Sequence, residues 1–128
     1  MGAWSAEVLN NDRALDRMAD LAWDLEHGGD LYEITEGFLK DPDDTDTQLV
    51  GVAIVDASLN GADEEILGSF YDYEDFFRGL SRTPLKGLSD PARKALAEVR
   101  KDINLWVERC RPKRQEVYDT LEKRLAAV

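Results

Sequence analysis

The run Asp46-Thr47-Gln48-Leu49-Val50-Gly51-Val52-Ala53-Ile54-Val55-Asp56-Ala57-Ser58-Leu59-Asn60-Gly61 decides the fold. Leu49, Val50, Ala53, Ile54 and Ala57 recur at helical spacing, whereas Val50, Val52, Ile54 and Val55 leave a strand open as the alternative. Acidic Asp56 and small Ala53, Ala57 and Ser58 favour the helix, because small side chains let neighbouring helices cross closely. Such a helix is apolar over most of its circumference, which predicts the central, most buried element. Asn60-Gly61 supplies its stop.

Upstream, Asp41-Pro42-Asp43-Asp44 is a break. Tyr32 to Lys40 is amphipathic, with Ile34, Phe38 and Leu39 inward, and reads as either a helix or a strand. A first helix starts at Asn10-Asn11-Asp12, where Asn11 or Asp12 can cap free backbone N–H groups. Its apolar face is Ala14, Leu15, Met18, Ala22 and Leu25, and Gly28-Gly29 ends it. Asp16, Asp20 and Asp24 fall on the other side at a spacing of four, where like charges oppose one another and Arg13 and Arg17 offset them.

Downstream, residues 62–88 predict only short extra turns, one of them at Asp63 to Leu67. Phe70, Tyr71, Tyr73, Phe76 and Phe77 are expected to close one end of the core. Ser89-Asp90-Pro91 is a helix start, with Asp90 as cap and Pro91 at the first helical position. The apolar stripe then runs through Ala92, Leu96, Val99, Ile103, Trp106, Val107 and Cys110 and continues past Pro112 to Val117, Leu121 and Leu125. Pro112 should kink this long helix or divide it in two. The expectation is a single all-α domain over residues 1–128, a compact irregular bundle of four or five helices. Their predicted spans are 11–27, 32–40, 46–60, 90–111 and 112–126.

The 128 residues carry 27 acidic and 16 basic side chains, a formal net charge of -11. The distribution is lopsided: residues 1–76 hold 20 acidic and 3 basic side chains, and residues 77–128 hold 7 and 13. That split implies either charge complementarity within the fold or a dipolar surface that orients partners. With one cysteine, Cys110, and one histidine, His27, a disulfide within the chain and a multi-histidine or thiolate metal site are excluded in a monomer. No apolar run reaches the roughly 18 residues of a membrane span. The opening Met1-Gly2-Ala3-Trp4 lacks the features of a secretion signal, and Ala6 argues against a lipid anchor. The expected location is cytoplasmic.

No motif assigns a reaction, a metal or a cofactor. Asp41, Asp43, Asp44 and Asp46 resemble a calcium loop, but the central glycine is missing and Val52 stands at the twelfth position. His27 sits at a helix end without a nucleophile beside it, and Cys110 has the phase of a buried, inert position. The basic patch Arg109, Arg111, Lys113 and Arg114 invites nucleic acid, yet the overall charge opposes that partner. The acids Asp12, Asp16, Asp20 and Asp24, spaced by about 6 Å along a helix, form a negative stripe suited to a basic protein surface.

Gly2-Ala3-Trp4, followed by Asn11-Asp12, Ala14 and Asp16, resembles the opening of a small uncharacterised bacterial family, a domain of unknown function. Its members begin Met-Gly-Ala-Trp-Gly, followed by Phe, Asn-Asp and Ala-x-Asp. This chain departs with Ser5 for the glycine and Leu9 near the aromatic position. The resemblance extends through residues 47–60 and Leu105-Trp106-Val107-Glu108. It implies a mostly helical fold and no established activity. If the pattern marks a site, Trp4, Asn11, Asp12 and Asp16 are its candidates; the favoured reading is a structural clasp that pins Trp4 beside the first helix. Two functional classes follow. The first is a non-catalytic acidic protein that binds a basic partner or itself. The alternative is a small hydrolytic enzyme or ligand-binding protein using the Asn11/Asp12/Asp16 region.

Overall fold

The computed structural model describes residues 12–41, 45–61, 63, 66, 74–80, 85–101 and 105–127, with the backbone alone at 12–13, 74 and 105–115. These residues form six α-helices and no strand: α1 (Asp12–Glu26), α2 (Leu31–Leu39), α3 (Thr45–Asn60), α4 (Glu74–Gly79), α5 (Ser89–Lys101) and α6 (Leu105–Ala126). A 3-10 turn, Lys86–Leu88, leads into α5. The all-α reading holds, and α3 is the axis against which the other five helices pack.

Every residue of α3 from Thr47 to Ser58 is buried. This removes the strand alternative. The run is helical from end to end, and the five helices packed around it bury its whole circumference. Helix α2 approaches α3 tightly at Gly51. A Cβ built on Gly51 would stand 3.0 Å from Leu39 Cδ2 and 3.1 Å from Phe38 Cβ, so the missing side chain is what admits the neighbouring helix.

The ambiguous segment at Tyr32 to Lys40 is α2. Asp30 caps it from an extended conformation, its carboxylate accepting from Glu33 N–H at 3.0 Å. Thr35 and Leu39 are its buried residues, while Ile34 and Phe38 are half-buried against the core. The α1 stop works as read. Gly28 takes φ +89°, Gly28 N–H donates to the Leu25 carbonyl at 3.4 Å, and Gly29 N–H donates to that of Asp24 at 2.7 Å. This pairing is a Schellman close. The inward face of α1 is Ala14, Met18 and Leu21, with Leu25 half-buried.

Two boundaries differ from expectation. The division of the C-terminal helix does not fall at Pro112: α5 ends at Lys101, α6 begins at Leu105, and α6 runs through Pro112 as one helix. A proline removes one backbone hydrogen bond, and a helix packed along its length can absorb that loss. Arg100 holds the two helices side by side, its guanidinium donating to Asp119 at 2.8 Å and Glu122 at 2.7 Å. Asp90, read as a cap, stands inside the first turn of α5, because the 3-10 turn feeds directly into the helix and Ser89 is already helical. Of the aromatic cluster, Phe77 is buried and packs edge-on against Phe76 at 5.3 Å. Phe70, Tyr71 and Tyr73 lie outside the described residues.

Candidate functional site

Helix α1 divides the molecule's inside from its outside along one cylinder. Ala14, Met18 and Leu21 face α3, so residues half a turn away face solvent. Asp16 and Asp20 are there and exposed, whereas Asp24 is half-buried. A step of four residues falls about 40° beyond a full turn, which carries the acidic stripe sideways until Asp24 reaches the edge of the packed face. Arg17 pairs with Asp20 at 2.8 Å.

The residue that sequence reasoning missed is Trp23. It lies seven residues after Asp16, within about 20° of it around the helix and opposite Leu21 and Met18. Its side chain is 60% exposed. It does not hang free, because the His27 ring stacks on it at a centroid distance of 3.8 Å and an interplanar angle of 15°. With its proton on Nδ1, His27 donates to the Trp23 carbonyl at 2.7 Å, which fixes the imidazole against the indole. Ala19 and Glu26, also exposed, complete the face. The signal was present in the sequence: an indole in helical phase with Asp16 and out of phase with Met18 must point to water.

Trp4, Asn11 and the side chain of Asp12 lie outside the described residues, as do the side chains of Arg109, Arg111, Lys113, Arg114 and Cys110. So do Asp43 and Asp44 of the calcium-like loop and residues 2–5, the partners expected for Asp16 in the clasp. Among the described residues no group of three histidine, cysteine or carboxylate side chains is placed to hold a metal ion. No described helix is long and apolar enough to cross a membrane.

A clasp joins α3 to the end of α6. Asp56, 2% exposed, is the one acid in the buried run of α3. Arg124 of α6 places Nε 3.0 Å from both of its carboxylate oxygens, and Asn60 Nδ2 donates to Oδ1 at 3.0 Å. The same guanidinium donates to Asp63 at 3.3 Å and to the Gly61 carbonyl, while Asn60 also donates to the Arg124 carbonyl. Burial pushes the Asp56 carboxyl above the ordinary aspartate range, against the lowering pull of the bonds from Arg124 and Asn60. A buried acid with a raised pKa is the usual mark of a catalytic group. Here both carboxylate oxygens are already engaged by the protein, so its work is structural: it ties the last turn of α3 to the end of α6. The bond also joins the acidic and basic halves of the chain.

No curated protein and no solved structure matches this chain. Residues 2–120 match the family model described as "Domain of unknown function (DUF4259)". That match spans nearly all of the helical bundle, including α1 with its Trp23 face and α3 with its buried acid, and the chain belongs to the DUF4259 family.

Proposed function

We propose that this protein is a non-catalytic interaction domain that docks a basic protein partner on the outer face of α1. The observation that carries the reading is Trp23: a large aromatic side chain 60% exposed, held rigid by His27 and flanked by the exposed acids Asp16 and Asp20. Binding energy concentrates in a few residues, tryptophan foremost, where a rigid ring can be fully desolvated within a charged rim. Restraint by His27 lowers the entropy lost when the indole is buried. The acids select the sign of the partner and steer its approach. Docking a second copy through the same face would set Asp16 and Asp20 against their own counterparts, and that repulsion favours a different, basic partner.

The test is affinity capture with the wild-type chain, Trp23→Ala and the double variant Asp16→Asn, Asp20→Asn, followed by a salt gradient. The reading predicts a protein held at about 50 mM salt, released by about 500 mM, and not retained by Trp23→Ala. It also predicts slower association for the double variant. A protein held equally well by Trp23→Ala would overturn the reading, as would the absence of any partner specific to the wild-type chain.

A further inference from the structure

A second feature lies apart from α1, in the cleft between α2, α3 and α5. Its volume is about 580 Å³, within the range of about 300–1,000 Å³ usual for small-molecule sites. Leu39, Pro91 and Ala95 give it apolar walls, and Gln48 of α3 lines it from within. Gln48 is only 4% exposed and sits in a turn that is otherwise packed in the core. Its Nε2 donates to Glu98 at 3.4 Å, at the outer limit of a hydrogen bond, and its Oε1 accepts no bond among the described residues. The Oε1 is not among the buried atoms left without a partner, so it is open to the cleft, where something else can complete its bonds.

The rim says what that something is. Along α5, Asp90, Lys94 and Glu98 follow one another at a spacing of four and line one edge of the cleft, and Lys40 enters from α2. The charges cancel. A ligand of one sign would be repelled by half of the rim, whereas a ligand carrying both signs at its two ends is drawn by both halves. Lys40 already pairs with Glu36 at 3.6 Å, which leaves Lys94 as the cation for a carboxylate.

We infer that this cleft binds a small zwitterionic amphiphile of dipeptide size. Its ammonium meets Glu98 and Gln48 Oε1, its carboxylate meets Lys94, and its apolar side chains lie on Leu39, Pro91 and Ala95. Spacing supports the match. Residues four apart on a helix have Cβ atoms about 6 Å apart, and an extended dipeptide spans about 7 Å. This site is independent of Trp23.

Leucyl-leucine is the probe. Titrated into the full chain and followed by amide NMR, it is expected to shift the Gln48 side-chain amide and the backbone of residues 94–98. N-acetyl-leucyl-leucine amide, which lacks both charges, should bind at least about tenfold more weakly. Lys94→Gln and Glu98→Gln, both at exposed positions, should each weaken leucyl-leucine by about tenfold while leaving the melting temperature unchanged. Trp23→Ala should have no effect on it. The inference is overturned if the blocked peptide binds as well as the free one, if neither exposed substitution matters, or if about 10 mM peptide shifts nothing in the cleft.

Discussion

The two ends of α3 both bury polar side chains, and Asp56 at one end and Gln48 at the other are treated differently. At the C-terminal end Asp56 is closed in by Arg124 and Asn60. At the N-terminal end Gln48 has one long bond and looks into a cleft. A buried polar group whose partners are all protein belongs to the fold. One whose partners are incomplete is available to something else. Exposure teaches the same lesson on α1, where Met18 and Leu21 are spent on the core and Trp23 is not.

The largest effect is expected at the closed end. Asp56→Ala leaves the Arg124 guanidinium without its main partner and a void beside it, and should cost about 3 kcal/mol in urea unfolding. The same residue sets a pH signature. Its folded pKa is raised above the ordinary 3.8, so the stability it contributes is full below that value and is lost as pH rises through the folded pKa. Asp56→Asn should remove this part of the pH dependence, read as the difference between the two unfolding profiles. A second large effect belongs to the middle of α3. Gly51→Val would press on Leu39 and Phe38 and should cost about 2 kcal/mol, seen as a lowered urea midpoint with an unchanged slope.

The open end should behave otherwise. Gln48→Leu keeps the volume, removes an incompletely paired amide and should change stability by less than about 1 kcal/mol. A cost as large as that of Asp56→Ala would erase the distinction between the two ends. Smallest of all should be Trp23→Ala, whose effect on unfolding is expected to stay within about 0.5 kcal/mol.

Much of the fold was legible because its signals are local. Gly28-Gly29 stops α1 by backbone conformation alone, and the apolar circumference of 47–58 needs a central helix. What escaped was tertiary or hidden by continuity. The apolar stripe stays nearly in phase from Ala92 to Leu125, so it masks the division between α5 and α6. The partners of Asp56 are 68 residues away at Arg124 and four away at Asn60, and no periodicity links the first of these pairs. Acid count drew attention to Asp12, Asp16, Asp20 and Asp24, yet the side chain that distinguishes α1 is Trp23, found by asking which apolar residue the core leaves out.

The most direct test of the central claim, that the outer face of α1 is a docking surface, measures urea unfolding and partner retention on the same preparation of Trp23→Ala. The account predicts a midpoint indistinguishable from the wild-type chain and a partner no longer retained. A midpoint lowered enough to mean a stability loss of more than about 1 kcal/mol would return Trp23 to the core, and a partner still held would place the interface elsewhere; either result contradicts the account.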